Sequence, residues 1–389
     1  MNKTRQLSFR LVRGTVAILI ALLVAMVLVF ISVEGDSIAD KFSATAGALR
    51  NLLIAPLFDE GAGFNLKRLT DILAAMIPTI FTGLSVCVMF SANEFNLGGE
   101  GSAMLGAFSA AMGAIYIPFA GLASFSVGLA TGLHILLCLL IAAVSCALMM
   151  LIPAVLKAKL QVSEMVCSLM LNYVVMYVIK YLMNTHLADK SKGLIQSFAF
   201  QPTAQIPQLV DNGSKLSWGF VIALGFVGIT ALFMYRSRWG YAIRMLGFNK
   251  DFVKYAGIRS GSMIVLSQLV GGLLAGLGGG IIMLGRYTTF SWGALPGYGW
   301  TGITIAILAG NNPIFVPFAA FFMAYLNKGC DLMATYAGVP SQLIDILQAL
   351  IFLFFAAEQF LSRYRQKLVV RSAQKGLSAG GGKEARADA

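Results

Sequence analysis

Apolar stretches of about 20 residues recur along most of this chain, and that is the length a helix needs to cross a bilayer. The stretches read as spans at 14–33, 69–90, 98–118, 126–151, 162–183, 217–235, 261–283, 299–310, 314–327 and 340–361. Lipid offers a backbone no hydrogen-bond partners, so each span has to be helical. Of the 389 residues 58% are hydrophobic and 12% charged, about half the charged share of a soluble domain. The fold class that follows is all-α, a polytopic membrane protein of about ten transmembrane helices. A cytoplasmic N-terminus, 1–13, precedes a transmembrane domain, 14–361. A cytoplasmic loop at 236–260 interrupts that domain, and a basic cytoplasmic tail, 362–389, expected to be disordered, follows it. The first span shows no obvious small-residue cleavage motif and reads as an uncleaved anchor. The short pair 299–310 and 314–327, split by Asn311-Asn312-Pro313, reads as one broken span, two short spans or a re-entrant pair.

The net charge is +12, and its placement gives its meaning. With both termini in the cytoplasm, 19 of the 29 Lys and Arg residues fall on inside segments. These are Lys3 to Arg13, Lys157 and Lys159, six residues within 236–259, and the tail. The two long outside loops, 34–68 and 184–216, carry Glu34, Asp36, Asp40, Asp59, Glu60, Asp189 and Asp211. Basic residues flanking spans set orientation. Counting 299–327 as one span puts the basic tail outside, so two passes or an in-and-out pair fits better. The charge is then a topology signal with membrane lipid as a secondary contact, and it does not point to nucleic acid.

Little else carries chemistry of its own. Cys87, Cys138, Cys146, Cys167 and Cys330 form no CxxC pair, and His134 and His186 are isolated, so neither a metal nor a disulfide framework is indicated. No Walker A run occurs, so the chain has no nucleotide site of that type. No cofactor and no catalytic residue is expected.

Glycine is patterned. Gly98, Ser102, Gly106 and Ala110 recur every four residues, as do Gly272, Gly276 and Gly280. Small residues at that spacing let helices approach closely in lipid. The sharper reading is that Gly278 to Gly280 and Gly98-Gly99 unwind their helices and expose backbone to a cavity. Glu100 sits among the glycines of "FNLGGEG". A carboxylate there is costly and needs a partner. It caps the start of the third span, near the inner face, by accepting N–H bonds from glycine-rich turns; or it lines a substrate path; or it relays protons. Its place at a helix N-terminus favours the cap.

The segment 236–261 lies between the sixth and seventh spans. Residues 250–256 read as a short amphipathic helix closed by Gly257 as a C-cap. Phe252, Val253, Tyr255 and Ala256 give it an apolar surface too small to be a core. It lies on the bilayer or docks a partner.

Three stretches now point one way. "FNLGGEG" resembles the Asn-Ile-Gly-x-Glu-Gly-Gln signature of permease subunits of bacterial ABC importers for nucleosides and simple sugars. "IRMLGFNKDFVKYAGI" resembles that family's cytoplasmic coupling loop, matched here by Arg244, Gly247, Asn249, Tyr255, Ala256 and Gly257. "PGYGWTGITIAILAGNNP", 296–313, resembles a Gly-Tyr-Gly-Phe stretch of its nucleoside branch. The likeness covers about 69–361. Ser102 stands where the family has Gln, and Phe252-Val253 where it has an Ala pair.

The resemblance implies a vitamin-B12-permease-like, type II ABC importer fold in a bacterial cytoplasmic membrane. It also implies a second permease subunit, ABC ATPase subunits docked through Arg244, Gly247, Asn249, Phe252, Tyr255, Ala256 and Gly257, and an extracytoplasmic solute-binding protein. The chain itself is then not an enzyme. For a nucleoside the path needs aromatic faces and amides, and the candidates are Asn96, Glu100, Asn172, Tyr173, Gln268 and Trp292. The alternative is an ion-coupled secondary transporter or channel. That reading needs mid-span ion-coupling acids or inverted repeats, and neither is evident.

Overall fold

The computed structural model describes residues 26–27, 30, 38–59, 63–117, 127–189, 193, 195–210, 213–337, 346 and 349. The spans expected at 14–33 and 340–361, and the termini beyond them, fall essentially outside these residues. The chain divides into two compact units, one of residues up to Ile54 and from Gly329 onward, the other Ala55–Lys328.

In the first unit, helix α1 (Ile38–Leu53) occupies what the sequence reads as an outside loop. Its Leu52 backbone meets Gly329, where a Cβ has no room.

The second unit is built on long apolar helices. A two-residue hairpin, β1 (Phe58–Asp59) with antiparallel β2 (Gly63–Phe64), precedes α2 (Leu66–Ser91). Then come α3 (Gly99–Tyr116), α4 (Val127–Leu160), α5 (Glu164–Leu182, continued by one π turn to Leu187) and α6 (Gly219–Arg236). Two short helices follow, α7 (Arg238–Phe248) and α8 (Lys250–Tyr255), before α9 (Ser260–Arg286), α10 (Tyr298–Leu308) and α11 (Val316–Ala337), of which the residues up to Lys328 belong to this unit. Among the described residues five helices are long and apolar enough to cross a membrane: α2, α4, α5 with its π turn, α6 and α9.

The spans at 69–90, 98–118, 162–183, 217–235 and 261–283 lie within about three residues of their helices. The span at 126–151 is an underestimate. Pro153 and Lys157 look like an end, yet α4 runs to Leu160 with Pro153 inside it. The chain bends by 115° between α10 and the helix after it. Gly310 (φ +64°) and Asn311 (φ +56°) make the turn, and Asn312 Oδ1 accepts the Ile314 N–H at 3.1 Å. That excludes one straight span. With 11 residues α10 is ~16 Å long, about half the hydrocarbon thickness.

α9 is the centre of this unit, packed on α2, α3 and α4. Its glycines decide how close. A Cβ on Gly276 lies 2.6 Å from Cys146 Cβ, and one on Gly278 lies 2.6 Å from Phe81 Cβ. A Cβ on Gly279 or Gly106 runs into the backbone of the facing helix, at Ala103 and Gly276 respectively. α9 is one continuous helix, so Gly278 to Gly280 do not unwind it; they serve close packing. Unlike them, Gly98 and Gly99 do sit at an interruption, where α3 begins.

Candidate functional site

The segment joining α2 to α3 does not stay at the membrane surface. Asn96 Nδ2 donates to Gln268 Oε1 at 2.9 Å, and Gln268 is about two turns into α9, ~12 Å from its start. Gly101 N–H donates to Asn172 Oδ1 at 3.0 Å, and Asn172 is likewise ~12 Å into α5. α3 therefore starts well inside the bundle, with its first turn buried.

Backbone that enters lipid depth needs partners, and α5 supplies them from one face. Glu164, Ser168 and Asn172 are spaced by four and stack along the helix. Glu164 Oε1 accepts the Phe95 N–H at 3.2 Å, Ser168 Oγ the Leu97 N–H at 3.0 Å, and Asn172 Oδ1 the Gly101 N–H. Asn172 Nδ2 donates to the Leu97 carbonyl at 2.9 Å, and Asn96 Oδ1 accepts the Gly98 N–H at 2.7 Å. Lys157 Nζ pairs with Glu164 Oε2 at 2.7 Å, holding the α4 end to the α5 start.

At the head of α3 stands Glu100, 1% exposed. Its Oε1 accepts the Gly297 N–H and its Oε2 the Gly299 N–H, the latter at 2.5 Å. Gly297 is the N-cap of α10, at φ +83° and without a side-chain cap of its own. One carboxylate thus serves two helix starts. It lies in the first turn of α3, where the dipole favours an anion, and it binds the free N–H groups of α10. No basic side chain among the described residues pairs with it. The two helix starts touch, since a Cβ on Gly299 lies 2.6 Å from Glu100 Cα. Thr82 Oγ1 donates to the Tyr298 carbonyl at 2.9 Å and ties the junction to α2.

On the side of the junction away from the 91–98 segment lies a cavity of about 280 Å³. Thr79, Arg286, Gly297, Tyr298, Thr301 and Asn327 are among its lining residues. Asn327 Oδ1 is buried without a partner. Trp292 is close by, within ring contact of Tyr298 at 6.0 Å and Tyr287 at 5.9 Å. Over this end of α9, the chain from 197 to 206 bonds to Phe290, Thr288 and Leu284.

At the opposite end, α7 covers the tip of α2, and α8 packs on α7. A Cβ on Gly247 meets the Ser91 carbonyl, so only glycine fits there. Asn249 Oδ1 accepts the N–H groups of Asp251 at 2.9 Å and Phe252 at 3.0 Å, capping α8. The helix ends in a Schellman arrangement. Ile258 N–H donates to the Val253 carbonyl and Gly257 N–H to that of Lys254, both at 3.0 Å, with Gly257 at φ +74°. Val253 is fully buried, whereas Phe252, Tyr255 and Phe248 are exposed. Arg244 stacks its guanidinium on Tyr235, 5.1 Å from the ring centroid.

The family model for the permease component of branched-chain amino acid transport systems matches residues 68–356. The chain belongs to that permease family. It is 30% identical over 361 residues to the guanosine ABC transporter permease NupP of Bacillus subtilis, a match over 92% of this chain and 96% of that one. The glucose ABC transporter permease TsgB13 of Haloferax volcanii is 31% identical over 306 residues, 76% of this chain and 78% of its own. The nucleoside ABC transporter permease NupB of Lactococcus lactis is 34% identical over 181 residues, 46% and 49% of the two chains.

Within this permease the sequence candidates separate into groups. Asn96, Asn172 and Gln268 are fully buried and line neither described cavity; Asn96 and Asn172 brace backbone, and Gln268 holds the Asn96 side chain. Tyr173 is 48% exposed and takes no part in the ladder of its neighbour Asn172. Glu100 caps, as one reading had it, but the helix whose N–H groups it accepts is α10, and its depth is mid-bundle. Val253 anchors α8 inward instead of adding to its outer surface. Glu164, Ser168, Gly297 and Gly299 were not singled out. The four-residue spacing of the first two was there to be read; nothing local ties the glycines to Glu100.

Proposed function

We propose that this chain forms the translocation path of an ATP-driven ABC importer for a small neutral polar solute, a nucleoside first and a simple sugar second. The observation that carries this reading is the near full-length likeness to a guanosine permease within a shared family. The cavity beside Gly297 and Tyr298 suits such a solute. Thr79, Thr301 and the unpartnered Asn327 Oδ1 offer neutral polar contacts, and Arg286 is its one basic lining residue. Trp292 and Tyr298 supply aromatic faces for a base. Asn96 and Asn172 act one step back, fixing the backbone from which the path is built, and Gln268 holds Asn96.

In this reading α7, α8 and both termini face the cytoplasm. Exposed Phe248, Phe252 and Tyr255 meet an ATPase subunit. A second permease, identical or paralogous, completes the path, and a solute-binding protein delivers the solute from outside. The junction at Glu100 keeps the starts of α3 and the half-depth α10 in fixed register beneath the cavity.

Uptake of labelled guanosine, uridine and glucose, with the partner ATPase intact or carrying a substituted Walker A lysine, tests this. Nucleoside uptake that needs the intact ATPase and survives a proton ionophore is expected. Uptake that ignores the ATPase and collapses with the ionophore would overturn it.

A further inference from the structure

A second cleft, of about 490 Å³, opens at the Leu160 end of α4, between that helix, α7 and the first turns of α9. Its walls are apolar, with Val155, Ala158, Leu266 and Leu269 among them, and Lys159 and Trp239 also line it.

The depth of this cleft can be read from α4. Leu133, Leu136, Leu140, Val144, Leu148 and Ile152 are exposed and follow one another at helical spacing, so they form a continuous apolar stripe. From Leu133 to Ile152 the stripe is ~28 Å long, close to the thickness of bilayer hydrocarbon. Val155 and Lys159 continue directly below it. The cleft therefore lies where acyl chains give way to headgroups. Half-exposed Trp239 is the residue type that favours this level.

Its charge has one sign. Lys159 is exposed, as are Arg238, next to Trp239, and Arg259, the N-cap residue of α9. None of the three makes an ion pair among the described residues, and no acid lines the cleft. The first turn of α9 carries no acidic residue and no side-chain cap, so its positive dipole end adds to the field. An apolar slot under unpaired cations at headgroup level matches a ligand with an acyl chain and an anionic head. A zwitterionic head brings a cation of its own into the same field.

We propose that this cleft binds one anionic phospholipid of the cytoplasmic leaflet, its acyl chains against Val155, Leu266 and Leu269 and its phosphate toward Lys159 and Arg259. The proposal rests on the cytoplasmic placement of α7 and is independent of the transported solute.

Trp239 reports on the cleft. The full chain, assembled with its ATPase, is reconstituted in phosphatidylcholine vesicles containing increasing fractions of brominated-chain phosphatidylglycerol or brominated-chain phosphatidylcholine. The signal lost in Trp239→Phe is the reporter. Half-maximal quenching at a severalfold lower fraction of the anionic lipid is expected, and Lys159→Gln with Arg259→Gln should abolish that preference. Equal quenching by both lipids would mean ordinary boundary lipid and overturn the proposal. No quenching by either would mean that protein covers the cleft, a partner chain or this chain's own N-terminal segment, and would overturn it too. Native mass spectrometry gives a readout that needs no tryptophan variant. One retained phosphatidylglycerol per chain should be lost in the Lys159→Gln/Arg259→Gln protein, and an unchanged count contradicts the site.

Discussion

Glu100 Oε2 accepts the Gly299 N–H at 2.5 Å, so the first turn of α3 holds the first turn of α10 across 199 positions of sequence. Two interrupted helices in lipid each expose N–H groups that water does not reach. The Glu100 carboxylate takes those of α10, by charge-assisted bonds about twice as strong as neutral ones, while Asn172 takes the Gly101 N–H of α3. Glycine at 299 is what lets the chains come that close.

The glycines of α9 and α3 should separate cleanly by position. Gly279→Ala and Gly106→Ala place a methyl against facing backbone and should cost ~1–3 kcal/mol each. Gly228→Ala, with open space around it, should be neutral or stabilise α6 by up to ~1 kcal/mol. Monodisperse yield after detergent extraction ranks the three. A Gly279→Ala protein as well behaved as Gly228→Ala would contradict the packing described.

In the segment proposed to meet the ATPase, Gly257 is at φ +74°, where a β-branched side chain is strained. Gly257→Val should leave insertion intact and reduce substrate-stimulated ATP hydrolysis severalfold. Asn249→Ala, which loses the cap of α8, should do the same more mildly, at about 1 kcal/mol of helix stability. Tyr255→Ala, on an exposed side chain, should weaken ATPase binding without lowering the yield of the permease. ATPase stimulation and pull-down of the partner subunit measure both effects.

Glu94 lies between α2 and α3, outside either helix. Burial first, then the nearby charge of Glu164, pushes its carboxyl up to about 7. Above the ordinary carboxylate pKa the folded state therefore holds a proton that the unfolded state has released. The contribution to stability is complete below the unfolded value and is lost as pH rises through about 7. Glu94→Gln should match the parent near pH 5 and melt higher than the parent near pH 8. Melting curves across that range check this, and a variant that melts lower at the alkaline end would contradict it.

How much of this was legible in the sequence depends on distance along the chain. The long spans were, because their apolar length has no other use. The end of α8 was, because its cap and its left-handed glycine lie within nine residues. That Glu100 accepts N–H bonds at glycine turns was legible from the cost of a carboxylate in lipid. Its partners were not, because Gly297 and Gly299 look like any loop glycines until the fold brings them in. Asn172 attracted attention as a polar residue in a span, but its role shows only alongside Glu164 and Ser168, whose spacing sets all three on one helix face. The extent of α4 was hidden by Pro153, which reads as a stop and is carried within the helix.

The thermal unfolding midpoint of the purified transporter, measured at one pH for the parent and for its Glu100→Gln and Glu100→Ala variants, tests the junction most directly. Glu100→Gln keeps an acceptor for one N–H group but turns an amide donor toward the other, a loss of ~1–3 kcal/mol. Glu100→Ala leaves both N–H groups without a partner and should fall further, with Gly299→Ala at least as low. Midpoints that fall from the parent to Glu100→Gln to Glu100→Ala, with uptake per folded transporter declining in step, are the expected result. A Glu100→Ala protein that melts with the parent would contradict the account, as would a Glu100→Gln protein that melts with the parent yet carries no solute.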